Sequence, residues 1–307
     1  MLQILIEQYK AGSPTQPGVY WISIKPNALS KLFFEQNGVK ISHGFIKREL
    51  KALGYRYRKI SKNIATGTYA QRDAQFQIIF ETLLAMSLES PILSIDCKKK
   101  ERLGTLYRQG KSYCIGQKEA YDHDYSYLGE GRIIPHGIYD LQQNKGYISI
   151  GDSSETAAFI IDNLRWYWLN FGVHQYPKAK NMLLFCDAGG GNSYRHHAFK
   201  KELQTLAAEI GLIINVVHYP PYASKWNVIE HRLFCHVHAA MSGEMFDSYE
   251  RVKTIIESTT TTTGLIVIAR LNLGEYKTKL KTDKKMVDEN RIIFHQIIPQ
   301  LNYRIFP

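Results

Sequence analysis

Three acidic residues have the types and spacing that metal-assisted phosphodiester chemistry requires. Asp96 closes the apolar run Pro91-Ile92-Leu93-Ser94-Ile95, and Asp187 closes a second run, Asn181-Met182-Leu183-Leu184-Phe185-Cys186. Glu230 falls in an amphipathic stretch that opens at Ser224-Lys225-Trp226-Asn227. The separations are about 90 and about 43 residues. Two carboxylates at strand ends and one on a helix can converge on a pair of divalent cations. Paired cations activate the attacking oxygen and steady the leaving oxygen of an in-line displacement at phosphorus.

Each acid has a simpler reading beside this one. An aspartate after an apolar strand is ordinarily a turn or cap residue, and the run Lys98-Lys99-Lys100 beside Asp96 is either a solvated face or a receiving surface for a nucleic-acid strand. Asp187 is followed by Ala188-Gly189-Gly190-Gly191-Asn192, and glycines without Cβ let the chain turn sharply and a ligand come close. A dinucleotide fingerprint fails because Tyr194 stands where its last glycine belongs, and no phosphate-loop GK[ST] is present. Helical spacing puts Glu230 one turn after Trp226 and one turn before Phe234, at the margin of a buried stripe. An acid there costs stability unless it is paired or metal-bound, and a salt bridge to Arg232 is the plain alternative. His231, Cys235 and His238 share one helical face at a spacing that suits zinc, without a fourth ligand. His123-Asp124 reads as a satisfied loop pair, weighed against a metal-adjacent pair.

The elements that must position these acids follow from the apolar pattern. Strands are predicted at 91–97, 102–107, 146–151, 181–187 and 212–218, and helices at 154–171, 197–210 and 224–240. Three strands, helix, strand, helix, strand, helix is the order of an α/β RNase H-like mixed sheet flanked by helices. Residues 108–135 read as a polar, tyrosine-rich insertion, Thr259–Thr263 is too short to form a domain, and the chain beyond about 264 has no clear assignment. Upstream, a helix begins at Asn27 (Leu29, Leu32, Phe33, Phe34) and stops at Asn37-Gly38. Ser42 caps a second helix (Phe45, Ile46, Leu50, Leu53) that ends at Gly54 and exposes Lys47, Arg48 and Lys51. That is a helix-turn-helix pattern, weighed against an ordinary helical hairpin. The following Tyr55-Arg56-Tyr57-Arg58-Lys59 interleaves cations and rings, as phosphate contact and base stacking require. A linking helix covers 72–88. The chain divides into an N-terminal segment (1–26), a helix-turn-helix DNA-binding domain (27–62), the linking helix (63–90), a catalytic domain (91–243) and a C-terminal extension (244–307).

Composition narrows the partners. Lysine and arginine number 39 against 28 acids in 307 residues, a net charge of +11, which lowers the cost of approaching a polyanion. Four cysteines without a CxxC pair fit a reducing compartment. No signal peptide is recognised, and no apolar run approaches the roughly 20 residues of a membrane helix. The expectation is a soluble, cytoplasmic, nucleoid-associated protein with no membrane partner.

The motifs resemble bacterial insertion-sequence transposases of the Azo group, which are DDE transposases with an RNase H-like catalytic core. The segment Ser94-Ile95-Asp96-Cys97-Lys98-Lys99-Lys100-Glu101 resembles that family's first-aspartate motif, and Asp187 to Arg195 resembles the second. His218-Tyr219-Pro220-Pro221 followed by Ser224 to Phe234 resembles the third, with further echoes at Ile134 to Asp140, Val39 to Tyr55 and Arg72 to Phe76. The resemblance implies that Asp96, Asp187 and Glu230 are the catalytic, metal-holding triad, with magnesium as cofactor and manganese as substitute. It implies cleavage of insertion-sequence ends and strand transfer into target DNA by a homo-oligomer assembled on double-stranded DNA. Lys98, Lys99, Arg195 and Lys225 are then the candidates to steer phosphates, and Lys47, Arg48, Lys51, Arg56, Arg58 and Lys59 to hold the duplex. Family members usually carry a further N-terminal helix-turn-helix region ahead of the point where this sequence begins, and Leu301 stands where a tryptophan is usual. Two alternatives share these features: an inactive or repurposed copy that only binds DNA through residues 27–60, and a structure-selective nuclease on the same core.

Overall fold

The computed structural model describes residues 1–13, 18–58, 70–123, 125–187, 189–278 and 282–307. Lys59 of the basic tail and Asp124 of the loop pair therefore lie outside the described residues. The chain forms two compact units, Met1–Ile64 and Ala65–Pro307.

The first unit contains α1 (Leu2–Gln8), an antiparallel pair β1 (Lys10–Gly12) and β2 (Tyr20–Ile22), α2 (Pro26–Asn37) and α3 (His43–Ala52). Pro26 opens α2, where its missing N–H and fixed φ cost nothing. Gly38 closes it in the left-handed region, its N–H bonded to the Phe34 carbonyl at 2.8 Å. The Ser42 hydroxyl accepts from the Phe45 N–H at 3.1 Å and starts α3. Leu5, Ile6, Leu29, Phe33 and Ile46 form the small core. Phe34, Phe45 and Leu53, expected on apolar faces, are exposed, because so small a unit can cover only one narrow stripe per helix. Lys47, Arg48 and Lys51 are exposed along α3, and Arg56 turns back so that its guanidinium donates to the Lys51 carbonyl at 2.7 Å.

The second unit runs α4 (Arg72–Leu84), β3 (Ile92–Cys97), β4 (Glu101–Leu103), β5 (Gly131–Asp140), β6 (Lys145–Gly151), α5 (Ala157–Tyr167), α6 (Val173–Gln175), β7 (Asn181–Cys186), α7 (His197–Ile210), β8 (Ile213–His218), α8 (Cys235–Met241), α9 (Tyr249–Glu257), β9 (Ile266–Leu271), β10 (Ile292–Phe294) and β11 (Asn302–Ile305). The sheet order is β10-β11-β8-β7-β3-β5-β6-β9, with β4 paired to β5. β3, β7 and β8 are parallel, and β5 is antiparallel to both β3 and β6. The central five strands, β6-β5-β3-β7-β8, have the order and directions of the RNase H-like arrangement. Alternation along β3 sends Leu93 and Ile95 to a core shared with α5 and α7, and sends Ser94 and Asp96 to the other face. On that other face Ile148 and Ile150 of the sheet pack with Ile229, Leu233, Phe234, Val237 and α9.

The structure departs from the predicted elements in three places. The second core strand is β5 at 131–140, not 102–107, and its first residues fall within the stretch 108–135 expected as an insertion. Pro135 and Gly137 hide it, since proline cannot donate to a ladder. Pro135 is tolerated because it falls where β5 changes partner, from β4 at Gly131–Ile133 to β3 at His136–Asp140. The unassigned tail supplies β9, parallel to β6, and the β10–β11 pair, which extends the sheet beyond β8. The helix expected over 224–240 is broken: a 3-10 turn at Ser224–Trp226 gives way at Asn227 to extended backbone, followed by a π-helical turn at Glu230–Phe234 and then α8. Among the described residues no helix is long and apolar enough to cross a membrane.

Candidate active site

The parallel ladder places the two aspartates. Ile95 pairs with Cys186 across β3 and β7, so Asp96 and Asp187 leave the same end of neighbouring strands. The carboxyl ends of parallel strands are where α/β sheets place their ligand crevices. Both side chains are half-buried.

Asp96 is held by two donors. Its Oδ1 accepts from the Cys97 N–H at 2.7 Å, and its Oδ2 accepts from Asn227 Nδ2 at 2.7 Å. The Asn227 amide is oriented in turn by the Ser94 hydroxyl, which donates to its Oδ1 at 3.2 Å. This use of the Asn227 side chain explains the break in the expected helix: the residue faces the sheet with extended backbone instead of continuing a turn. Burial, and then the negative charge of Asp187, push the Asp96 carboxyl up to about 8, with Glu230 and Glu155 adding to the rise. Asp187 is pushed up to about 6, first by burial, while the Gly189 N–H and the Asn192 side chain hold it down and Glu155 and Glu230 push it up. Asp187 Oδ1 is buried without a hydrogen-bond partner among the described residues.

A second layer fixes the strand ends. The Nδ1–H of His218, at the end of β8, donates to the Asp187 carbonyl at 2.9 Å, and its Nε2 faces the Tyr303 hydroxyl at 3.4 Å. Burial pushes His218 down to about 4, so the ring is neutral and its donor is committed to that carbonyl. Gln75 of α4 donates to the His218 carbonyl at 2.7 Å and exchanges amide hydrogen bonds with Asn302 of β11. The tail that sequence could not place therefore buttresses the end of β7.

Glu230 is built differently. It opens the π-helical turn and is exposed. The buried stripe beside it is formed by Ile229, Leu233 and Phe234. These approach the sheet closely where it has no Cβ: an added Cβ at Gly137 would lie 2.5 Å from Phe234 Cε1, and one at Gly146 would lie 2.3 Å from Leu233 Cδ1. The Glu230 charge reaches both aspartates. Among the described residues no group of three or more His, Cys, Asp or Glu side chains is gathered closely enough to hold a metal ion. The aspartate pair nonetheless fits a hard divalent cation. Its donors are carboxylate oxygens, one of them buried and unsatisfied, and burial pushes both acids up, with no ion pair to either among the described residues.

Sequence reasoning missed two residues. Glu155, just before α5, is a fourth acid beside the pair. It accepts from the Gly191 N–H at 3.3 Å and pairs with Lys100 at 3.3 Å. A Cβ on Gly190 would lie 2.4 Å from its Oε1, which is a local reason for glycine after Asp187. Asn227 is the other, visible in sequence only as part of a motif. The remaining candidates separate. Lys99 and Lys225 are exposed, and Arg195 lies over the Tyr194 ring at 5.2 Å. Lys98, expected at the phosphates, is instead buried with its ammonium 3.4 Å from Glu101, because its backbone N–H continues the ladder to the Pro135 carbonyl. The zinc reading also fails. His231 Nε2 is engaged by the Lys225 carbonyl at 2.7 Å, and the Cys235 thiol donates to the His231 carbonyl at 3.1 Å.

The family profile described as Rhodopirellula transposase DDE domain matches residues 1–307. A search of curated proteins finds no match. Among solved structures, the chain is similar to a Mos1 transposase in a paired-end complex with the left transposon end, at 17% identity and a TM-score of 0.46, over 80% of this chain and 71% of that one. It is also similar to the catalytic domain of Mos1 mariner transposase, at 15% identity and a TM-score of 0.41, over 65% of this chain and 82% of that one.

Proposed function

The chain belongs to the transposase DDE-domain family, and from that premise we propose that this enzyme cuts the ends of an insertion sequence and joins the freed 3′ ends to target DNA, using magnesium or, in its place, manganese. The observation that carries the reading is the placement of Asp96 and Asp187 at the same end of adjacent parallel strands, both half-buried, with the Asp187 charge pushing the Asp96 carboxyl up. Asp96 and Asp187 hold the metal, with Glu230 as the third carboxylate. A magnesium ion held there by these carboxylates would supply activation of water or a 3′-hydroxyl and neutralisation of charge on the leaving 3′-oxygen.

The protein's own contribution is positioning. Asn227 keeps one Asp96 oxygen directed and the Cys97 N–H keeps the other. Gly189 and Asn192 hold the Asp187 carboxylate while His218 holds its carbonyl. Lys99, Arg195 and Lys225 take phosphates of the strand being cut. The 27–62 segment acts as the helix-turn-helix domain, with Lys47, Arg48, Lys51, Arg56 and Arg58 on the duplex. Assembly as a homo-oligomer on DNA at the nucleoid completes the reading.

The test is magnesium-dependent cleavage of a duplex carrying an element end. Asp187→Asn and Glu230→Gln each lower it by roughly a thousandfold or more while leaving DNA binding largely intact. Cleavage retained by either variant excludes the assignment.

A further inference from the structure

Trp226 is the exposed residue immediately before Asn227, whose amide reaches Asp96. Its indole carries two cations: the Arg72 guanidinium lies 4.6 Å from the ring centroid and the Lys225 ammonium 5.4 Å. The ring is pinned by Phe76, edge-on at 5.4 Å. Arg72 and Phe76 are four residues apart on α4 and so project from one face of that helix. The trio is therefore set by two separate elements meeting, not by one flexible loop.

We propose that Arg72, Trp226 and Lys225 form a fork that binds the phosphodiester backbone of a DNA strand beside the carboxylates. This deepens the transposase reading and rests on it. Two like charges gathered on one ring repel each other, and exposed cation–ring attraction is weak. Among the described residues no carboxylate pairs with either cation; Asp73, next to Arg72, is exposed and makes no ion pair with it. What the arrangement lacks is an anion. A guanidinium matches two phosphate oxygens at once and an ammonium adds a point charge, so a backbone phosphate satisfies both. The fork reads no base and is indifferent to sequence. Its place, one residue from Asn227, puts that phosphate next to the strand entering the site.

The experiment measures binding of a labelled oligothymidylate to the full chain by fluorescence anisotropy across a salt series, without metal. Each phosphate contact contributes about 0.7 to the slope of log affinity against log salt for a single strand. Arg72→Gln and Lys225→Gln should each reduce the slope by up to about that amount, the double variant should lose little more than the stronger single one, and Trp226→Ala should reproduce the loss. An oligothymidylate with neutral methylphosphonate linkages should bind wild type and variants alike. Slopes unchanged in both Arg72→Gln and Lys225→Gln overturn the fork, as does a wild-type advantage that persists on the neutral strand. Cleavage of element-end DNA by wild type separates the two readings. Cleavage with unchanged slopes sinks the fork alone, and lowered slopes without cleavage sink the transposase chemistry alone.

Discussion

Asp96 and Asp187 stand at the ends of neighbouring strands, half-buried, each with donors directed at its carboxylate. Glu230 stands on a π-helical turn, exposed, with no side-chain hydrogen bond or ion pair among the described residues. The same sheet supports both, by different means. A parallel ladder sets the aspartates through backbone hydrogen bonds, register and a surrounding shell that includes Asn227, Asn192, Gly189 and His218. The glutamate is delivered by backbone packing, with Ile229, Leu233 and Phe234 set into gaps left by Gly137 and Gly146. One region fixes side chains and the other fixes a backbone, so they should respond differently to the same kind of change.

The sharpest way to break that contrast is to alter side-chain length. Asp187→Glu should lose cleavage as completely as Asp187→Asn, by roughly a thousandfold or more, because a longer side chain leaves the Gly189 and Asn192 donors that hold the carboxylate. Glu230→Asp should cost no more than about a hundredfold, the scale of a misplacement of about 1 Å. Single-turnover cleavage rates decide it, and equal losses at the two positions would show that Glu230 is as constrained as Asp187.

The next effect is on stability without metal. The ordinary aspartate value of 3.8 is raised to about 8 at Asp96 and about 6 at Asp187. Between those limits the folded state keeps protons that the unfolded chain has released. The unfolded state therefore binds fewer protons, and stability falls as pH rises from about 4 to about 8. The steepest slope should be on the order of 1.4 kcal/mol per pH unit for each group still protonated. Asp96→Asn should flatten most of this fall and Glu230→Gln should reduce it only slightly, since burial is the larger cause at both aspartates, as should be seen in chemical denaturation in chelator across that range. Added magnesium should flatten it in wild type. A slope removed by Glu230→Gln would contradict the division of roles.

The smallest effect concerns the residue that joins the two regions. Asn227 precedes the glutamate's turn and bonds Asp96. Asn227→Ala should lower the cleavage rate by roughly ten- to a hundredfold, the scale seen for partners that orient metal ligands, with DNA affinity unchanged. A loss confined to DNA affinity would mean that Asn227 only shapes the surface around Trp226.

How much of this was legible beforehand depended on whether the signal was local. The runs ending at Asp96 and Asp187 are continuous apolar strands, so their ends were readable from composition and length. β5 was not, because Pro135 and Gly137 resemble a loop until the change of partner from β4 to β3 is known. The break at Asn227 was equally hidden: nothing within one helical turn shows that the amide is needed at a strand more than a hundred residues earlier. Glu155 carried no local mark either, since its meaning lies in the Gly190-Gly191 backbone that closes over it.

By itself, the sequence determined the RNase H-like order of strands and helices, the basic character of the chain and which carboxylates lie at strand ends, since these depend on short-range periodicity and on charge. Only the tertiary structure decided that β9, β10 and β11 extend the same sheet, that Lys98 is buried on Glu101, and that His218, Asn302 and Gln75 stand behind Asp187. Those outcomes depend on which surfaces meet. A side chain's charge, exposure and hydrogen-bond partner are properties of the neighbours that packing brings to it.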